Sequence, residues 1–169
     1  MTTERLSDKH LTAHQREEID HWLAKYPDNP QGRRSAVIPA LHVAQEGNGG
    51  WLTEDLMNAV AEYIGMPPVN VYEVATFYSM FHLEKVGRHK VNVCTNISCM
   101  LCGADDILAH AEEHLGIKVG ETTPDGRITL VREEECLAAC VGAPMMLVDE
   151  EYHTDLTPEK IDRILDNLE

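Results

Sequence analysis

Basic residues are scarce in this chain: 14 Lys and Arg stand against 29 Asp and Glu in 169 residues, a formal charge of −15 with histidine neutral. A polyphosphate partner needs Lys and Arg to displace its counterions, so nucleic acid is excluded as a partner. The deficit holds in both halves, with 7 basic against 12 acidic residues through Lys85 and 7 against 17 from Val86 onward. A partner meeting the second half is expected to be basic or metal-bearing. Long apolar runs are also missing. A membrane-spanning helix needs about 18 or more apolar residues in a row, and stretches such as Ala143 to Val148 are far shorter; any membrane contact is expected to run through a partner. The opening residues Met1 to His10 mix charges and lack both the apolar core of a signal peptide and the Arg-rich character of a transit peptide, which predicts a cytosolic protein. No Gly-x-Gly-x-x-Gly or P-loop pattern occurs, nor any internal repeat or low-complexity segment.

What remains is an ordinary globular composition, 43% hydrophobic and 25% charged, in a length that allows one domain or two small ones. From Thr12 to about Leu83 the pattern is helical. Thr12-Ala-His-Gln15 fits a capping box, and Ile19, Trp22, Leu23 and Tyr26 fall on one face behind it. A second helix is predicted from near Gly32 to Gln45, with Pro39 confined to or kinking its first turns, and a third from the Thr53 cap to Gly65. Val69 to Phe81 reads as a short helix leading into an extended segment.

The period changes near Gly87. His89 to Val93 alternates like a strand, Gly103 to Leu115 is helical, and Pro124-Asp-Gly126 marks a turn between two short strands, the second spanning Arg127 to Arg132. Met145 to Val148 is a further strand, Asp149 to Glu151 a turn, and Thr157-Pro158 starts a last helix that buries Ile161, Ile164, Leu165 and Leu168. The resulting order, α-α-α-α then β-α-β-β-β-α, is an α+β chain. Its second part resembles a small thioredoxin-like sheet, a βα unit followed by antiparallel strands and a helix. The boundary falls between Glu84 and Arg88, giving an N-terminal helical domain over 1–86 and a second domain over 87–169.

Five cysteines in a reducing compartment are metal ligands or redox groups before they are disulfides. Two pairs stand out, Cys94-x4-Cys99 and Cys136-x3-Cys140, 36 residues apart, each where a strand gives way to a loop. Four thiolates from two loops are the ligand set of a [2Fe–2S] cluster. They also suit a four-cysteine zinc site, and spacing leaves both open. Cys94-x4-Cys99-x2-Cys102 further matches the first three ligands of a plant-type ferredoxin, which leaves Cys136 or Cys140 spare. Against that, Cys102 directly precedes a helix, where a half-buried bystander thiol is the simpler reading. Cys99-Met-Leu-Cys102 alone has the form of a dithiol redox pair. Phe77, Tyr78 and Phe81 read as core or interface packing, and His110 and His114 as surface residues.

Three segments carry a resemblance to a known family. Val71-Tyr-Glu-Val-Ala-Thr-Phe-Tyr-Ser-Met-Phe81, Cys94-Thr-Asn-Ile-Ser-Cys99 and Glu135-Cys-Leu-Ala-Ala-Cys-Val-Gly-Ala-Pro-Met-Met146 closely resemble the 24-kDa subunit family of NADH:quinone oxidoreductase, respiratory complex I, known in bacteria as its E subunit. The resemblance covers nearly the whole chain from about Thr12. It implies an N-terminal helical bundle followed by a thioredoxin-like [2Fe–2S] ferredoxin domain, with the cluster held by Cys94, Cys99, Cys136 and Cys140 and with Cys102 outside the ligand set. It implies one-electron transfer with the flavin of a partner subunit that also binds NADH, so FMN and NADH sit on the partner. It further implies other peripheral-arm subunits as neighbours, on the cytoplasmic face of a bacterial inner membrane. The equivalent diaphorase subunit of an NAD-linked hydrogenase or formate dehydrogenase is the alternative within the superfamily, and a zinc-stabilised non-redox module the alternative outside it. Glu133 to Glu135 precede Cys136 and are expected to oppose reduction: at ~8 Å and an effective dielectric of about 20, one carboxylate contributes roughly 2 kcal/mol, or of order 90 mV.

Overall fold

A computed structural model describes residues 5–131 and 136–169. The chain divides into two compact units, Met1–Lys85 and Val86–Glu169.

The first unit is helical: α1 (Leu6–His10), α2 (Ala13–Leu23), α3 (Pro30–Ser35), α4 (Val37–Gly47), α5 (Glu54–Ile64) and α6 (Pro68–Phe77). The Thr12 hydroxyl accepts from the Gln15 N–H and the Gln15 side chain accepts in return from the Thr12 N–H, so the predicted capping box is complete. Thr53 caps α5 through the Leu56 N–H, and Gly65 ends it at φ +73°, a left-handed conformation that costs glycine little. The single helix expected from Gly32 to Gln45 is two. Pro39 has no N–H to give and its ring crowds the carbonyl of Ser35, so the first helix stops at Ser35 and the second starts at Val37. Tyr26 lies beyond the end of α2. Helix α1 was not legible; five residues carry no apolar period, and α1 is tied to α5 by the Ser7 N–H donating to Glu62 Oε2 at 2.8 Å. That bond holds the Glu62 carboxyl below its usual pKa range. The core gathers Ile19, Leu41, Leu52, Val60, Ile64, Val71 and Phe81. The aromatic run that begins at the end of α6 separates: Phe81 is buried, Tyr78 half-buried and Phe77 exposed.

The second unit contains β1 (His89–Val93), α7 (Ile97–Leu101), α8 (Ala104–Leu115), β2 (Ile128–Leu130), β3 (Met146–Val148), β4 (Glu151–His153) and α9 (Pro158–Asp166), in a four-stranded sheet of order β2-β1-β3-β4. β2 runs parallel to β1, where antiparallel strands were expected; α8 supplies the crossover that a parallel neighbour requires. β3 is antiparallel to both β1 and β4. The strand expected before Pro124 reduces to a single bridge, Thr122 to Thr129. β4 is an edge strand of half-exposed and exposed residues, with no alternation to betray it. Val91, Val93, Ile128, Leu130, Met146 and Val148 face one side and pack on Ile107 and Ala111 of α8 and Ile161 and Leu165 of α9. Each fully buried Ile or Leu there contributes about 1.5–3 kcal/mol from leaving water. α9 starts at the predicted Thr157 cap and is pinned to α8 through His110 with Asp162 and His114 with Asp166, at 2.7 and 2.9 Å. The two histidines are partly exposed and engaged in these pairs.

Candidate metal centre

Two loops at one end of the sheet hold the cysteines. Cys94 follows β1 directly, and its N–H donates to the Met145 carbonyl at 3.1 Å, carrying the β1–β3 ladder one residue further. Asn96 then opens α7, its side chain accepting from the Ile97 N–H, so Cys99 rides a short helix where an irregular loop was expected. Cys94 and Cys99 are both buried, packed with Ala104 and Met145 and with half-buried Leu137, Ala139 and Ala143. Cys102 is exposed, not half-buried, in the turn between α7 and α8.

The second loop carries Cys136 and Cys140, both exposed, with Cys140 opening a single 3-10 turn, Cys140–Gly142. Ala138 sits at φ +59° and its N–H donates to Cys136 Sγ at 3.3 Å. Three hydrogen bonds fasten this loop to the β4–α9 region: Tyr152 hydroxyl to the Leu137 carbonyl at 3.2 Å, Asp155 N–H to the Gly142 carbonyl at 2.7 Å, and Leu156 N–H to the Pro144 carbonyl at 2.9 Å. Glu133 to Glu135, expected from the sequence to tune the site, lie outside the described residues.

Electrostatics connects the two loops. Burial pushes the Cys99 thiol up to about 11, helped by the hydrogen bond and charge of Cys94 and the charge of Cys140, against the Met145 backbone. At Cys136 the Ala138 N–H is the largest influence and favours the thiolate, yet burial together with Cys140 and Cys94 leaves the thiol raised. Cys94 and Cys140 therefore bear on both Cys99 and Cys136, one cysteine of each loop. Such thiols resist ionising together in the absence of a compensating positive charge. All five cysteines are free thiols. Among the described residues no three His, Cys, Asp or Glu side chains gather about one point as ligands of a single ion; a two-iron cluster distributes its thiolates over two irons.

Sequence reasoning missed the exposed apolar residues near the cysteines. Ile97 and Leu101 on α7 are 68% and 77% exposed, and Val141, beside Cys140, is fully exposed. Apolar residues interleaved with the cysteines are the only sequence signal, and their spacing reads equally well as core.

The family model for the thioredoxin-like [2Fe-2S] ferredoxin matches residues 19–169. The NADH-quinone oxidoreductase E subunit of Rickettsia conorii is 47% identical over 147 residues, covering 87% of this chain and 86% of its own. The NADH-quinone oxidoreductase E subunit numbered 2 in Rhizobium meliloti is 47% identical over 153 residues, covering 90% and 88%. "NADH dehydrogenase [ubiquinone] flavoprotein 2, mitochondrial" of Dictyostelium discoideum is 48% identical across 89% of this chain and 60% of its own length. Among solved structures, an NAD+-reducing [NiFe]-hydrogenase in the air-oxidised state aligns with a TM-score of 0.65 over 78% of this chain and 22% of the hydrogenase chain, at 19% identity, a likeness of fold. With its α+β architecture and two cysteine loops at the sheet end, this chain belongs to the thioredoxin-like [2Fe-2S] ferredoxin family.

Proposed function

We propose that Cys94, Cys99, Cys136 and Cys140 hold one [2Fe–2S] cluster, and that the chain exchanges single electrons with the flavin of an NADH-oxidising partner in NADH:quinone oxidoreductase. The observation that carries this is the packing of the two cysteine loops on one another at the sheet end: Leu137 and Ala139, between Cys136 and Cys140, lie against buried Cys94 and Cys99, while Cys102 sits exposed in the turn after α7. The raised thiols of Cys99 and Cys136 suit an iron core, whose positive charge favours the thiolates. The bound cluster supplies a site for one electron at a potential set by charge, hydrogen bonds to sulfur and exposure.

The residues divide the remaining work. Cys94 and Cys99, buried against Met145 and Ala104, keep water from one side. Cys136 and Cys140 are exposed and give the electron its way in and out. Ile97 and Leu101, two residues to either side of Cys99, and Val141, next to Cys140, are exposed apolar residues suited to an apolar rim under a partner that covers the site and excludes water during transfer. FMN and NADH then belong to that partner, since this chain has no nucleotide-binding fingerprint. No helix among the described residues is long and apolar enough to cross a membrane. The likeness to NADH-quinone oxidoreductase E subunits supports a position in the peripheral arm, on the cytoplasmic face, with membrane contact only through the assembled complex.

The test is a rapid-mixing experiment. With the flavin-bearing partner and NADH present, the visible absorbance of this chain's cluster bleaches; with NADH alone it does not. Bleaching by NADH without the partner, or none with it, contradicts the reading. Leu101→Glu puts a charge into the rim, and its expected effect is weaker association with the partner by about 1–3 kcal/mol, measured by calorimetry, with cluster content unchanged.

A further inference from the structure

The peptide unit between Leu137 and Ala138 is engaged at both ends. Its N–H, on Ala138, donates to Cys136 Sγ at 3.3 Å, and its carbonyl, on Leu137, accepts from the Tyr152 hydroxyl at 3.2 Å. The left-handed φ of +59° at Ala138, uncommon for a residue with a Cβ, belongs to the turn that directs this N–H back onto the sulfur two residues earlier. Tyr152 stands on β4, opposite Leu147 of β3. The sheet therefore holds the backbone of Tyr152 independently of the cysteine loop.

We propose that Tyr152 is a positioning residue that tunes the reduction potential of the cluster through the Leu137–Ala138 peptide, a role that rests on Cys136 being a ligand. A donor on the carbonyl oxygen draws electron density from the amide and makes the N–H a stronger donor, since hydrogen bonds in a chain strengthen one another by roughly 10–30% each. Reduction adds one electron to the cluster and increases the negative charge on its thiolates. The Ala138 N–H thus stabilises the reduced state more than the oxidised one, and Tyr152 strengthens that preference. No bond forms or breaks and Tyr152 keeps its proton; the electron arrives from the reductant. The expected size is about twofold in the one-electron equilibrium constant, which at 59 mV per tenfold is ~18 mV.

The experiment is a potentiometric titration, read by EPR, of the full chain carrying its cluster. Tyr152→Phe shifts the midpoint potential down by that amount with cluster content unchanged. 3-Fluorotyrosine at position 152, a stronger donor, shifts it up and keeps the test alive should the Phe variant lose its cluster. Tyr63→Phe, which removes a hydroxyl that donates to the Arg16 carbonyl in the first unit, leaves the potential where it was. A Tyr152→Phe protein with full cluster content and the wild-type potential overturns the relay, as does a shift of the same sign in both variants. If Cys136→Ser retains a native cluster, the ligand assignment falls and the relay with it.

Discussion

Cys140→Ser is expected to purify without a stable cluster, while Cys102→Ser is expected to keep it. The two cysteines are both exposed, so accessibility does not separate them. What separates them is the loop: Cys140 opens the turn next to Leu137 and Ala139, which pack against Cys94 and Cys99, whereas Cys102 lies in the turn between α7 and α8. Replacing a ligand removes one of four thiolate bonds, a greater loss than the about 10–100-fold that follows when only a group orienting a ligand is removed. Cys102→Ser exchanges one exposed group for another of similar size, and its stability change is expected within about 0.5 kcal/mol. Iron content of the two variants decides the matter. The opposite result, iron lost with Cys102 and kept without Cys140, restores the plant-type assignment.

Gly142→Ala is expected to disable the same loop without touching a sulfur. A Cβ at Gly142 lies 2.4 Å from Thr154 Cβ and 2.6 Å from Thr154 Cγ2, distances at which one of the two segments must move. The carbonyl of Gly142 is also the acceptor for Asp155 N–H, so displacement costs a hydrogen bond as well. Overpacking of this kind costs about 1–3 kcal/mol, and for a chain of this size each kcal/mol lowers the melting temperature by roughly 2–4 °C. Because Cys140 begins the turn that Gly142 ends, the variant also loses cluster occupancy. Thr154→Gly in the same chain removes the obstructing atoms and restores both properties. A single variant with wild-type melting and iron content shows that the loop shifts freely and that the packing carries no weight.

The difference between these two predictions reflects what a sequence can and cannot announce. The cysteine pairs show in the sequence as spacing, and the structure puts each pair in a loop region at one end of the sheet. Helix starts at Thr12, Thr53 and Thr157 were legible for a similar reason: the cap and its N–H partner are three residues apart. Pro39 announced a disturbance, and the break at Ala36 follows from its ring meeting the turn before it. Helices α1 and α7, five residues each, are too short to show a period. β4 has no buried face to alternate, and whether β2 runs parallel to β1 depends on how α8 returns the chain. At the site, the Gly142–Thr154 contact and the Tyr152–Leu137 hydrogen bond join residues 12 and 15 apart through the sheet, and no local pattern encodes them. The exposure of Ile97 and Leu101 is similarly hidden, because an apolar residue on a short helix carries the same letter whether it faces a core or a partner.

The most direct test is the metal and spin content of the full chain prepared without oxygen. Two irons and two acid-labile sulfides per chain are expected, with an EPR signal that appears only on reduction, in the wild type and in Cys102→Ser. Both are expected to be absent from the serine variants of Cys94, Cys99, Cys136 and Cys140. A colourless protein with stoichiometric zinc and no signal on reduction contradicts the cluster assignment.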